Sequence, residues 1–246
     1  MKDQAEGLRQ LFAATVESPT ACLIACPARE AAALPFSRAL VDSFAKEGHP
    51  LLWIDEIDFR YREGFPLASP VKFHLSQWMA GDVSLRDVVV GFGERQWFAY
   101  SGEDLPSPAP TSQSALEQFQ QSGLETEVVV ASITQGTSLL PALKGHPLHV
   151  ALVCDAKPQQ LRPTLAAIAR LESGSEIASV SLVLCGAEAD CTAFQKAIED
   201  VSTGFVGTSP EVLGKLDLKL MSAPLATIGR AGQPLADRLA SRILHR

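Results

Sequence analysis

Two carboxylates, Asp55 and Asp58, follow the apolar run Leu51-Leu52-Trp53-Ile54, and acids in that place can hold a metal ion or orient a water. The same residue type at a strand end also caps helices and lines solvated loops, so spacing alone leaves both roles open. An earlier apolar run, Ala21-Cys22-Leu23-Ile24-Ala25, leads into Cys26-Pro27-Ala28-Arg29-Glu30-Ala31-Ala32-Ala33-Leu34-Pro35. A phosphate cradle in that position needs glycines, whose backbone N–H groups curl around phosphate oxygens, and a lysine to offset the charge. This stretch contains neither glycine nor lysine. Pro27 and Pro35 lack N–H donors, Glu30 repels phosphate, and Arg29 has a plainer role as a solvated surface cation. A third run, Val128-Val129-Val130, ends in Ala131-Ser132, where a metal-coordinating acid would be required.

Other chemistry finds little support. His49, His74, His146, His149 and His245 have no metal-ligand spacing, and His146-Pro147-Leu148-His149 has no cysteine or acid beside it. No G-x-S-x-G elbow is present. Cys22, Cys26, Cys154, Cys185 and Cys191 include no C-x-x-C pair, and their apolar settings predict small buried side chains. Neither a cofactor nor a metal is expected. Trp53, Trp78 and Trp97 lie in apolar contexts that predict core packing.

The elements that must carry these residues alternate between strand and helix. A helix through Phe36, Leu40, Val41 and Phe44, closing at Gly48, separates the first two apolar runs, which is a parallel βαβ signature. A loop is expected over Arg60 to Pro70, then short helices over Val71 to Met79 and around Leu85 to Val90, and a strand over Gln96 to Tyr100. After a proline-punctuated stretch from Ser101 to Ser114 come a helix through Leu116 and Phe119 and strands at Val128 to Val130 and Val150 to Cys154. Helices follow over Gln159 to Leu171 and Ala193 to Val201, with strands over Val180 to Cys185 and Leu216 to Leu220, and a last helix beginning after Pro234. The strands are apolar throughout rather than alternating, which places them in a sheet covered on both faces. The fold class is therefore α/β, a doubly wound, mostly parallel sheet flanked by helices.

A length of 246 residues suits one large α/β domain, and 46% hydrophobic against 20% charged residues argues against disorder. A formal net charge of −7 opposes nonspecific nucleic-acid binding. Neither a secretory signal nor a run long enough to span a bilayer is visible, so a cytoplasmic protein with no stable membrane insertion is expected.

The first residues form an amphipathic pattern: Ala5, Leu8, Leu11, Phe12 and Val16 share one side of a helical wheel, and Gln4, Glu6, Arg9 and Gln10 lie elsewhere. Pattern alone describes a stripe that most helices bury against their own domain. Gly7 inside that segment costs about 1 kcal/mol relative to alanine.

The order of segments resembles that of MinD/ParA-type ATPases. Ala45-Lys46-Glu47-Gly48 leading into Leu51-Leu52-Trp53-Ile54-Asp55 looks like the family's helix end and its LLIDAD strand, with one extra residue before Asp58. His74-Leu75 through Gly81-Asp82-Val83-Ser84-Leu85-Arg86-Asp87-Val88 is similar to a further family segment. Val150 to Leu171 and Pro234 to Leu244 resemble later elements, so the likeness spans nearly the whole chain. Asp3-Gln4-Ala5-Glu6-Gly7-Leu8-Arg9 matches D-Q-A-x-x-L-R, the activator motif of the FlhG subgroup, also called FleN or YlxH, which controls flagellar number and placement.

That resemblance implies two units, an activator helix over 1–18 and a MinD-like domain over 19–246. It implies that Asp3, Gln4, Ala5, Leu8, Arg9, Leu11 and Phe12 meet FlhF, an SRP-type GTPase at the cell pole, and stimulate its GTP hydrolysis. Gln4 would reach the GTPase site, where a glutamine can orient the attacking water, with Asp3 supporting and Leu8 and Arg9 anchoring. Where the family has K-G-G-x-G-K-T, an ungapped count back from Asp55 places glycine positions on Pro27, Arg29 and Glu30 and the lysine on Ala33. Pro27, Arg29, Ala33, Asp55, Asp58 and Ala131 would thus mark a vestigial nucleotide site. The expectation is a regulator without ATPase activity, recruited to the pole by its partner. Flagellar C-ring or transcription components are further partners the family suggests. The alternatives are an ATPase with a reshaped loop using Asp55 or Asp58, and a structural partner of another MinD-like ATPase. Leu235, Leu239, Ile243 and Leu244 predict a C-terminal helix docked on the core, with no separate membrane-targeting helix beyond it.

Overall fold

Six apolar or β-branched runs and two edge segments, VGFG and EVLGKL, become strands, and the spacers between them supply helices. In a computed structural model the described residues are 19–27, 33–57, 71–102, 124–134, 143, 146–174, 176–205, 210–217 and 225–245. The elements run β1 (Thr20–Ala25), α1 (Ala33–Lys46), β2 (Leu51–Asp55), α2 (Leu75–Met79), α3 (Leu85–Val88), β3 (Val90–Gly93) and β4 (Gln96–Tyr100). Then come β5 (Val128–Ser132), β6 (Leu148–Asp155), α4 (Leu161–Gly174), β7 (Ile177–Cys185), α5 (Glu188–Phe205), β8 (Glu211–Leu216) and α6 (Leu225–Leu244). The expected elements at 1–18, the loop over 60–70 and the helix through Leu116 and Phe119 lie outside the described residues.

One sheet holds all eight strands in the order β3-β4-β2-β5-β1-β6-β7-β8. Every pairing is parallel except the β3–β4 hairpin at one edge. Alternating side chains build two cores. Cys22, Ile24, Trp53, Val130 and Val153 face α1 and α6, where Phe36, Leu40, Phe44, Leu239 and Ile243 cover them. Leu23, Ile54, Ala131, Leu152 and Leu182 face the other way, onto Leu85 and Val88 of α3 and Ile168, Phe194 and Ile198 of α4 and α5. Burial of both faces accounts for the unbroken apolar runs. Among the described residues no helix is long and apolar enough to cross a membrane.

Several expected boundaries are corrected. The first short helix begins at Leu75 rather than Val71, and the second ends at Val88 because the chain turns into β3 at Val90. Glycines at 91 and 93 hide this strand from a propensity reading. β8 precedes the expected Leu216–Leu220 strand because an edge strand needs no continuous apolar run, and its residues are only partly covered. α6 starts nine residues before Pro234, which the helix accommodates internally. That proline is exposed, so water can serve the carbonyl that loses its helical donor. Leu235, Leu239 and Ile243 are buried, as the docked-helix expectation required, and Leu244 packs partly against the same core.

Candidate functional site

The connection leaving β1 runs to β2 on one side, and the one leaving β5 runs past β1 to β6 on the other. Adjacent strand ends whose chains depart in opposite directions form the crevice where doubly wound sheets hold ligands. β1 and β5 pair with Leu23 opposite Ala131 and Ile24 opposite Ser132, and β2 pairs with β5 so that Asp55 stands opposite Ser132. Asp55, Ala131 and Pro27 are thus brought to one end of the sheet. Asp3, Gln4, Ala5, Leu8, Arg9, Leu11, Phe12, Arg29 and Asp58 lie outside the described residues.

Each of the four described positions is packed into the protein. Pro27 is buried directly after β1. Ala33 opens α1 with 0% of its surface exposed, and its carbonyl accepts a hydrogen bond from Ser37 Oγ at 2.9 Å. A lysine there would place its ammonium among Phe36, Leu40 and their neighbours unless it could thread out to the strand ends. Ala131 is equally buried, with its methyl in the core on the α4 and α5 side. Asp55 is 1% exposed; its Oδ1 accepts from Ile57 N–H at 2.8 Å, closing a short turn as the chain leaves β2.

A network of hydrogen bonds joins these strand ends. The hydroxyl of Ser132, the last residue of β5, accepts from Trp53 Nε1 at 3.0 Å. The Trp53 ring meets Phe98 edge-on, with centroids 5.4 Å apart. On the β4 side, Ser101 donates to the Asp55 carbonyl through both its N–H at 3.0 Å and its Oγ at 3.2 Å. On the β1 side, Ile133 N–H donates to the Ile24 carbonyl at 2.9 Å. Between β2 and β5, Glu56 N–H donates to the Ser132 carbonyl at 2.9 Å, and Glu56 Oε2 accepts from Thr134 N–H at 3.0 Å and Thr134 Oγ1 at 3.4 Å.

Sequence reasoning put Asp55 at a strand end and Trp53 in the core, as the structure has them, and missed Ser101, Ser132 and Glu56 as partners. Nothing in the spacing of Glu56 and Thr134 signals their contact, which depends on the β2–β5 register.

All five cysteines are buried, as their settings predicted, and none forms a disulfide. Burial pushes the Cys154 thiol up to about 12, partly opposed by a hydrogen bond from Thr164, and burial raises Cys22 and Cys185 as well. Such thiols stay protonated and unreactive at neutral pH. Among the described residues no three His, Cys, Asp or Glu side chains are arranged to hold a metal ion.

Comparison with solved structures decides the architecture. The MinD cell division protein of Aquifex aeolicus superimposes with a TM-score of 0.59, 13% identity, and coverage of 92% of this chain and 98% of that one. The chain has the fold of the MinD and ParA ATPases. MinD of Pyrococcus horikoshii, solved with Mg-ADP, gives a TM-score of 0.59 at 15% identity over 92% and 99% of the two chains. A ParA family ATPase from Chlorobium tepidum gives 0.58 at 13% over 92% and 99%. No protein-family model matches the sequence, and no curated protein matches it. Within this MinD-type fold, the loop after β1 has no glycine or lysine between Cys26 and Pro35, and the helix behind it begins with a fully buried alanine.

Proposed function

We propose that this chain is a FlhG-like regulator that acts on a partner GTPase through its N-terminal segment, carried on a MinD-type body that does not use ATP. The observation that carries this reading is the D-Q-A-x-x-L-R motif at Asp3 to Arg9 in front of a body with the MinD fold. The partner it implies is the SRP-type GTPase FlhF, and the process is the control of flagellar number and placement. In this reading Gln4 enters the GTPase site and orients the attacking water. Asp3 supports it, and Ala5, Leu8, Arg9, Leu11 and Phe12 hold the helix on the partner, which would bring the protein to the cell pole. The body contributes a rigid mount and a surface for flagellar C-ring or transcription components.

Support for a body without ATP comes from charge and donors. A triphosphate needs converging N–H groups and a cation, and the residues between β1 and α1 offer Pro27, Glu30 and a single Arg29 in their place. Ala33, at the lysine position, is fully buried at the start of α1. The test is a pull-down with FlhF by the full chain and by a chain lacking residues 1–18: the first is expected to capture the GTPase and the second to lose it. Equal capture would move the interaction to the body.

One observation favours a second reading, an ATPase with a reshaped loop: Asp55 stands at the end of β2 in a fold whose neighbours are ATPases. Calorimetry with Mg-ATP separates the two, since micromolar binding would establish the second and no heat supports the first.

A further inference from the structure

The Glu56 side chain makes an unusual connection at the carboxyl end of the sheet. A backbone N–H and a hydroxyl from one residue, Thr134, converge on a single oxygen, Glu56 Oε2. That donor pair is of the type that receives oxyanions, and hydrogen bonds to a charged acceptor are about twice as strong as those between neutral groups. Here the anion belongs to the neighbouring strand end. The Glu56 N–H meanwhile continues the β2–β5 ladder to the Ser132 carbonyl. Three hydrogen bonds therefore join the residue leaving β2 to the end of β5, next to the crevice between β5 and β1.

We propose that Glu56 is an internal clamp: its carboxylate takes the place of a ligand oxyanion and holds the ends of β2 and β5 in one fixed arrangement whether or not any nucleotide is present. In two-state nucleotide switches, loops at such strand ends are ordered by contacts to a terminal phosphate and released when it leaves. A covalently tethered carboxylate cannot leave, so the clamp gives the body one state. Its neighbours restrain the same segment from both sides. Ile57 N–H is held by Asp55 Oδ1, and Ser101 holds the Asp55 carbonyl from β4. The role of the clamp rests on the reading of the body as a scaffold that does not use ATP, whereas its existence rests on the Glu56–Thr134 geometry alone.

Amide hydrogen exchange on the full chain, resolved at Ile133 and Thr134, tests this. In Glu56→Ala the Thr134 amide is expected to exchange about tenfold or more faster than in the wild type. Ile133 should be unchanged, because its N–H is held by Ile24 on the β1 side. Glu56→Gln, which keeps an acceptor and the side-chain volume but not the charge, should fall between the two and guards against a variant that merely misfolds. Mg-ATP added to the wild type should leave Thr134 exchange unchanged. Equal Thr134 exchange in wild type and Glu56→Ala, or an Mg-ATP effect on the wild type, would overturn the clamp. Calorimetry on the same samples keeps the two ideas apart. ATP binding with Glu56-dependent Thr134 protection that ATP leaves unaltered sinks the scaffold and spares the clamp. No ATP binding with Glu56-independent protection does the reverse.

Discussion

Ala33 and Ser132 carry the most weight at the scale of single residues, because both are fully buried, one at the start of α1 and the other at the end of β5. Ala33 is fully buried in the α1 and α6 core, so Ala33→Lys alone should destabilise the fold by about 3 kcal/mol or more, the cost of an uncompensated buried charge. Urea denaturation measures it, and calorimetry on the same variant should still detect no Mg-ATP binding. Ser132→Ala removes the acceptor that Trp53 Nε1 uses at 3.0 Å and should cost about 1–3 kcal/mol in the same assay. How these residues are used was only partly visible beforehand. Asp55 at a strand end follows directly from an apolar run that stops at an acid. The Trp53–Ser132 and Glu56–Thr134 bonds follow from strand register, which no local pattern encodes.

Helices α1 and α6 form the element pair that fixes the body's rear face. Their apolar stripes were legible as periodicity, but the polar seam between them was not. Asp237 Oδ1 accepts from Ser43 Oγ at 2.6 Å and from Gln233 Nε2 at 2.9 Å, and Gln233 Nε2 also reaches the Ala39 carbonyl at 3.0 Å. The hydrogen bond from Ser43, then that from Gln233, holds the Asp237 carboxyl below its ordinary value of 3.8. A depressed carboxylate contributes stability above its unfolded value, lost as pH falls through the folded one. Stability should therefore decline below about pH 4 through this group. Asp237→Asn should flatten that part of a urea-midpoint profile by lowering the midpoint at neutral pH, and only by a small amount, since Asp237 is solvent-exposed. At the end of α1, Gly48 adopts φ +84° and lets the His49 N–H reach the Phe44 carbonyl at 3.2 Å. Gly48→Ala should cost about 1 kcal/mol from backbone strain, although nothing would touch the added methyl. The same logic explains what was missed: β3 and β8 are edge strands rich in glycine and charge, where half-exposure removes the apolar signal that central strands carry.

For the whole molecule, a sheet buried on both faces made the doubly wound fold legible from composition and alternation of elements, and the MinD-type solved structures agree with it. The proposed function rests on a seven-residue motif and on what the stretch after β1 lacks, because fold by itself does not fix activity. Together those two observations support the proposal that the body is a mount and Gln4 the working group. The most direct measurement is the rate of GTP hydrolysis by FlhF, alone, with the full chain, and with the Gln4→Ala chain at saturating concentration. The wild-type chain is expected to raise the rate at least about tenfold, a change of about 1.4 kcal/mol in barrier, and Gln4→Ala to bind yet leave the rate at that of the GTPase alone. Equal stimulation by both chains, or none by either, would contradict it.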